Sequence, residues 1–402
     1  MFVHLLYSQL KISSLLPSNR NRSLLVHSLT KELGLLSTGK NHLAQLRILR
    51  PSPATLEDLS SYHTKDYLEF ILNEKNFEGI DEYSGPSDHT EYGLEEDCPY
   101  FQGLSQYVRM IAGATLSATK ALLDGQTDIS ICWDGGRHHA QKSQASGFCY
   151  IADCVLSILA LKRSRITESD GSGRKPRILY LDLDLHFSDG VSQAFASSSS
   201  TASQVLTLSI HHASPGFFPA SPLATLSDPS DPSFDPFTLS LPLCRGASNA
   251  TYSRIWRIVE QVKDAFNPDY VVVQCGVDSL SGDPYGIFNW SLGDGDGSLG
   301  WCIERICSEW GCKVLLLGGG GYNSPNAARA WAYLTSIALG RKLSLETDIP
   351  DHAAFPLYAP SFILDVPAGQ TQDQNTNQYL SEVEKHFANI VRVLQETTGI
   401  VF

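Results

Sequence analysis

No run of about 18 apolar residues occurs anywhere in the chain, which excludes an ordinary membrane-spanning helix. The opening Met1-Phe2-Val3-His4-Leu5-Leu6-Tyr7 lacks a basic n-region and a long apolar stretch, so no secretory leader is expected. CxxC spacing is also missing. The nine cysteines are an odd, scattered set, and Cys132, Cys149 and Cys275 sit inside apolar runs, which excludes zinc fingers and points to reduced, buried thiols in a soluble intracellular protein. Positive charge is short as well: 30 Lys and Arg face 43 Asp and Glu, for a net charge of -13. That balance disfavours a nucleic-acid surface and favours a cationic partner or substrate. There is no internal repeat and no convincing linker.

What is present suits a large core. The chain has 402 residues, 42% of them hydrophobic. Short apolar strands are expected near 2–7, 129–133, 205–210, 270–275 and 313–317. Between them, helical patterns fall near 22–36 (with Arg22 exposed at its start), 101–124, 151–162, 252–266, 301–310 and 379–394. A short helix in 51–67 has a cap at Thr55 or Ser60. Strands alternating with helices predict an α/β fold, with a mostly parallel central sheet flanked by helices on both faces. One domain over 1–402 is expected, with exposed insertions near 163–175, 196–204 and 221–236.

The chemistry centres on Arg177-Ile178-Leu179-Tyr180-Leu181-Asp182-Leu183-Asp184-Leu185-His186, with Asp189 beyond it. Strand alternation places Asp182, Asp184 and His186 on one face and Leu181, Leu183 and Leu185 on the other. Two carboxylates and an imidazole on a buried strand are costly unless compensated, and a cation would compensate them. Asp-x-His suits zinc with a third ligand from elsewhere. A hydrogen-bonded polar strand end would satisfy the same residues, and this strip alone leaves both readings open. Three other strands also end in polar chemistry: His138-His139 after a Gly-Gly turn, Asp278 after Gln274-Cys275, and Tyr322 after four glycines. His211-His212 ends a fifth strand, but no second carboxylate follows it, so a structural role is expected there.

At this point the chain resembles the zinc-dependent class I histone deacetylases, an arginase-like α/β family, over nearly its whole length. The motifs that carry the resemblance are GGRHHAQKSQASGFCY, RILYLDLDLHFSDGV, SPGFFP, VQCGVDSLSGDP and LLLGGGGYN. It implies Asp184, His186 and Asp278 as ligands of one Zn2+, leaving an open position for water and substrate. It implies His139 as general base and His138 as electrostatic support, oriented by Asp189 and Asp182 respectively. Tyr322 would donate to the oxyanion. Phe148 and Phe218 would wall a tunnel for acetyl-lysine, with Gly147 as a backbone acceptor, Tyr285 beside its mouth and Asp97 gripping substrate backbone amides at the rim. Asp182, Asp184 and the carbonyls of His186, Ser209 and Ile210 would hold a structural K+. Acetylated lysines of histone tails or other proteins are the implied partners, in nucleus and/or cytoplasm.

Two features separate this chain from the family pattern. Members usually carry His-His-Gly-Asp where this chain has His186-Phe187-Ser188-Asp189, and a glycine conformation imposed on Ser188 could displace Asp189 from His139. Corepressor-bound members place arginines where Pro284 and Pro325 stand, so the resemblance narrows to the type-8 subtype, for which no corepressor or inositol phosphate dependence is expected. The competing readings are an acetylpolyamine amidohydrolase, a catalytically weakened acetyl-lysine-binding scaffold, and a binuclear manganese ureohydrolase. The last needs Asp-x-His-x-Asp, and Asp189 lies out of that register.

Overall fold

Apolar composition decides the sheet. In the computed structural model, which describes residues 2–4, 12–37, 46–77, 90–168, 171–196, 204–232 and 234–398, eight strands form one parallel sheet. They are β1 (Phe2–His4), β2 (Arg47–Leu49), β3 (Ile129–Cys132), β4 (Ile178–Asp182), β5 (Val205–His212), β6 (Thr238–Leu243), β7 (Tyr270–Gln274) and β8 (Lys313–Leu317). The spatial order is β2-β1-β3-β8-β7-β4-β5-β6, and every pairing is parallel. β4, β5 and β7 are buried at every position, as strands covered on both faces should be.

Among the described residues, ten α-helices flank the sheet: α1 (Arg22–Glu32), α2 (Leu56–Ser60), α3 (Lys65–Ile71), α4 (Leu104–Leu123), α5 (Asp153–Arg163), α6 (Asp189–Phe195), α7 (Asn249–Phe266), α8 (Leu299–Glu309), α9 (Ser324–Ala338) and α10 (Asn377–Thr398). Side-chain alternation sorts the strands between two cores. Leu179, Leu181, Val271 and Val273 join Val26, Trp256, Ile303, Trp331 and Phe387 on one face. Ile178, Tyr180, Tyr270 and Val272 join Ala118, Val155, Ile158 and Val191 on the other. A third cluster packs α2 and α3 against the first half of α4. Local signals set the boundaries. Thr55 and Asp58 form a reciprocal cap on α2, and Asn323 with Pro325 opens α9.

Some expectations change. Arg22 is not exposed: it retains 3% of its accessible surface, its guanidinium lies 4.8 Å from the Trp331 ring, and its Nη1 donates to Gly321 O at 2.7 Å. Within 163–175, Ile166–Thr167 pairs antiparallel with Gly173–Arg174, and Arg174 grips Asp269 through two bonds of 2.7 and 2.6 Å. The strand expected through residue 186 ends at Asp182, yet Leu183 and Leu185 still enter the same core as Leu181. Most of the 196–204 insertion, residues 197–203, lies outside the described residues.

In a parallel sheet all carboxyl ends share one edge, and β3, β8, β7 and β4 are consecutive neighbours there. The turns after β3 and β8 meet backbone to backbone. Gly136 has φ +90° and a Cβ on it would lie 2.3 Å from Gly318 O. Gly136→Ala is therefore expected to destabilise the fold by about 2 kcal/mol or more, read as a lowered midpoint of denaturation, because both the left-handed backbone and the contact oppose a side chain.

Candidate active site

Three side chains converge beyond β4 and β7. Asp184, His186 and Asp278 offer ligand atoms that all lie within 4.8 Å of one another. His186 Nδ1 is 3.2 Å from Asp184 Oδ1 and 3.0 Å from Asp278 Oδ2. The remaining oxygens are held by other groups: Asp184 Oδ2 accepts from Gln274 Nε2 at 2.8 Å and Gly320 N at 2.7 Å, and Asp278 Oδ1 accepts from Leu185 N at 3.0 Å. Both carboxylates are fully buried. Burial and the neighbouring Asp184 charge push the Asp278 carboxyl above its usual range. Burial disfavours charge on His186, but the hydrogen bonds to Asp184 and Asp278 outweigh it and raise its pKa to about 10. The pair thus draws positive charge to this point, and one nitrogen with two oxygens fits a divalent cation such as zinc.

The tandem histidines face the same point from β3. His138 Nδ1 pairs with Asp182 Oδ2 at 2.9 Å, and His139 Nδ1 pairs with Asp189 Oδ1 at 2.7 Å. Their rings are 3.9 Å apart. Burial disfavours charge on both. At His138 the Asp182 and Asp184 carboxylates overcome it and lift the pKa to about 9. At His139 burial and the adjacent His138 charge prevail over Asp189, leaving the pKa below the ordinary 6.5. Two histidines adjacent in the chain are thereby driven apart in pKa, His138 upward and His139 downward.

Tyr322 projects from the loop after β8, half-buried, with its ring 5.6 Å from Phe148 and 4.7 Å from Tyr285. Burial, with the Asp278 and Asp184 charges, raises its phenol well above the ordinary range and keeps it a donor. Phe218 stands edge-on to His139 at 4.9 Å. Gly147 N donates to Asp97 Oδ2 at 2.8 Å, so Asp97 braces the loop that carries Phe148, whose φ of +64° is unusual for an aromatic residue. Tyr285 is 53% exposed and sets its ring edge-on against Tyr322.

The structure thus brings together the thirteen residues expected to serve catalysis, metal and substrate. Ser209 lies opposite Asp182 in the β4–β5 register, with Ile210 next to it. His211 and His212 are spent on structural bonds, to Ala224 O at 3.0 Å and Leu243 O at 2.9 Å. The feared displacement at Ser188 does not occur. Its φ of -77° and ψ of 59°, with Asp189 N donating to Phe187 O at 2.8 Å, make an inverse γ-turn open to any L-residue. Phe187 is buried against the His211 ring at 4.8 Å.

Sequence reasoning missed several contributors. Phe217 stacks flat on His186 at 5.1 Å, although only its neighbour Phe218 is expected at the site. Asp153 accepts from Arg137 N at 2.7 Å and Gly136 N at 3.0 Å and so holds the turn before the histidines. Gln274 and Gln141 brace Asp184 and Asp189, the latter at 3.0 Å. Their partners lie 16 to 90 residues away in sequence, and no local spacing announces them.

Comparison with known proteins shows the family. Residues 16–338 match the profile of the histone deacetylase domain. The chain is 38% identical over 363 residues to histone deacetylase 8 of Xenopus tropicalis, covering 90% of this chain and 89% of that protein. To the protein of the same name from Danio rerio it is 37% identical over 367 residues, 90% and 87% of the two chains. Human histone deacetylase 1 is 34% identical over 385 residues, 96% of this chain and 73% of that one. The profile spans the histidine pair, the carboxylate cluster and the tyrosine loop alike, and the chain belongs to the histone deacetylase family.

Proposed function

We propose that the protein hydrolyses the acetyl amide of N6-acetyl-lysine in histones or other proteins of the nucleus or cytoplasm. One observation carries the reading: a buried Asp-His-Asp cluster, the His138–Asp182 and His139–Asp189 pairs and the Tyr322 loop meet at one edge of the sheet. Amide hydrolysis needs a group to take the proton of water, a donor for the oxyanion and a proton for the leaving amine.

Asp184, His186 and Asp278 would hold one zinc. Zinc bound there supplies Lewis-acid polarisation of the amide carbonyl and lowers the pKa of water. His139, kept neutral, accepts the proton of the attacking water at Nε2, because Nδ1 is committed to Asp189. His138, kept charged by Asp182 and Asp184, offsets negative charge as the carbonyl becomes tetrahedral. Tyr322 donates its hydroxyl to the oxyanion, and the proton held by His139 passes to the departing lysine amine. Phe148 and Phe218 exclude water from the alkyl stem, while Gly147 and Asp97 engage the substrate's polar groups. A structural K+ at Asp182, Asp184 and the His186, Ser209 and Ile210 carbonyls is supported by the pairing of Asp182 with Ser209. Corepressor independence is supported by Pro284, exposed, and Pro325, in the first turn of α9. Neither offers the charge that would hold a polyanion.

Metal analysis of active protein is expected to give one zinc per chain, with activity lost on chelation and restored by zinc; two equivalents of manganese would contradict the assignment. Tyr322→Phe should leave fold and zinc content intact and lower kcat on the order of 10²-fold, whereas near-normal turnover would remove Tyr322 from the mechanism. The reading as a whole is tested by turnover on acetyl-lysine peptides beside acetylated polyamines, each with and without inositol phosphate. Peptide turnover that the polyanion leaves unchanged is the expected result. Preference for the polyamines, or peptide turnover that appears only with inositol phosphate, would refute the substrate or the subtype respectively.

A further inference from the structure

The segment after β7 contains a carboxylate to which none of the roles above belongs. We propose that Asp283 is a positioning residue that clamps the backbone of Tyr322 and so fixes where its phenol points. The proposal rests on the deacetylase reading and concerns how the oxyanion donor is held.

Asp283 Oδ2 accepts from Tyr322 N at 2.6 Å and from Asn323 N at 3.0 Å, while Oδ1 accepts from Tyr285 N at 3.0 Å. The clamp is returned from the other side. Asn323 Nδ2 donates to Gly282 O at 3.3 Å, and Asn323 Oδ1 accepts from Asn326 N at 3.1 Å as the cap of α9. The loops after β7 and β8 are therefore stitched together at the residue from which Tyr322 departs. The carboxylate also sits at the amino end of α9, where the helix dipole favours negative charge. Burial raises its pKa, opposed by the backbone donors of Tyr322, Asn323 and Tyr285.

The loop before Tyr322 is held through its backbone alone: Gly320 N donates to Asp184 Oδ2 at 2.7 Å and Gly320 O accepts from Val277 N at 3.1 Å. The four residues before the tyrosine, Gly318 to Gly321, have no side chains with which to anchor the loop. Gly321 is instead tied by its carbonyl to Arg22 Nη1 at 2.7 Å. The tyrosine thus leaves a backbone gripped on one side by a guanidinium and on the other by a carboxylate. Asp283 also holds the N–H of Tyr285, whose ring packs edge-on against Tyr322 at 4.7 Å. One carboxylate consequently sets both the direction of the donor and the aromatic wall beside it. An amide at this position keeps only one acceptor oxygen and turns an NH2 toward N–H donors on the other side, so Asp283→Asn must release part of the clamp.

The test is a double-mutant cycle on the zinc-loaded full chain, assayed on an acetyl-lysine peptide, with Asp283→Asn, Tyr322→Phe and the double variant. Asp283→Asn alone is expected to lower kcat roughly 10- to 100-fold, as misplacement of a reacting group does. KM, zinc content and thermal midpoint should change little. In the Tyr322→Phe background the same substitution should add less than about twofold, because the hydroxyl it positions is already gone. Equal losses in the two backgrounds, or a loss that follows zinc content or thermal midpoint, would overturn the clamp. Should Asp283→Asn not yield folded protein, Asp283→Glu, which keeps the charge but moves it by one methylene, carries the same cycle with the same criteria. An inactive wild type would overturn the deacetylase reading and the clamp with it, whereas an active wild type with additive losses overturns the clamp alone.

Discussion

Two carboxylates buried side by side, Asp184 and Asp278, are the constraint on which the rest of the site depends. Removing each ion from water costs on the order of several kcal/mol, and their mutual repulsion adds to it. The fold meets that cost with polar groups that reach the same point. Gln274 Nε2, the N–H groups of Leu185 and Gly320 and the His186 ring all face the pair. Each comes from the end of a strand or the loop just beyond it. Only an arrangement that gathers several strand ends at one edge can supply so many donors, and a parallel sheet does this by construction.

The same crowding explains the glycines nearby. A Cβ on Gly276 would fall 2.0 Å from Asp184 Oδ2, and one on Gly320 would fall 2.1 Å from Asp278 Oδ2. The carboxylates occupy the space that side chains would need, so the backbone itself forms the cradle. Further out, Asp153, Asp182 and Asp189 repeat the principle at the histidines. Asp153 orders the turn, and the other two select which ring nitrogen faces inward. Because His138 lies beside two carboxylates and His139 lies beside His138, adjacent positions in one chain acquire opposite protonation behaviour.

The departures from the family pattern fall where the fold tolerates them. Phe187 is buried against the His211 ring at 4.8 Å. Ser188 occupies a turn of negative φ, where a glycine has no conformational advantage, and the His139–Asp189 bond remains at 2.7 Å.

Much of this was legible in the sequence because it is local. Continuous apolar runs mark strands buried on both faces, a period of two puts Asp182, Asp184 and His186 together, and polar residues just past apolar runs mark the functional edge. The motifs from GGRHHAQ to GGGGYN then carry the family and mark the residues expected at the site. What tertiary structure alone decided depends on distance in space between segments remote in the chain. It buried Arg22 beneath the Tyr322 loop, although helix periodicity left it exposed, because Trp331 and Gly321 belong to segments about 300 residues later. It chose Phe217 as the ring that stacks on His186. It set His138 apart from His139, since a pKa follows from burial and neighbouring charge, and those are properties of the assembled sheet edge rather than of two identical letters side by side.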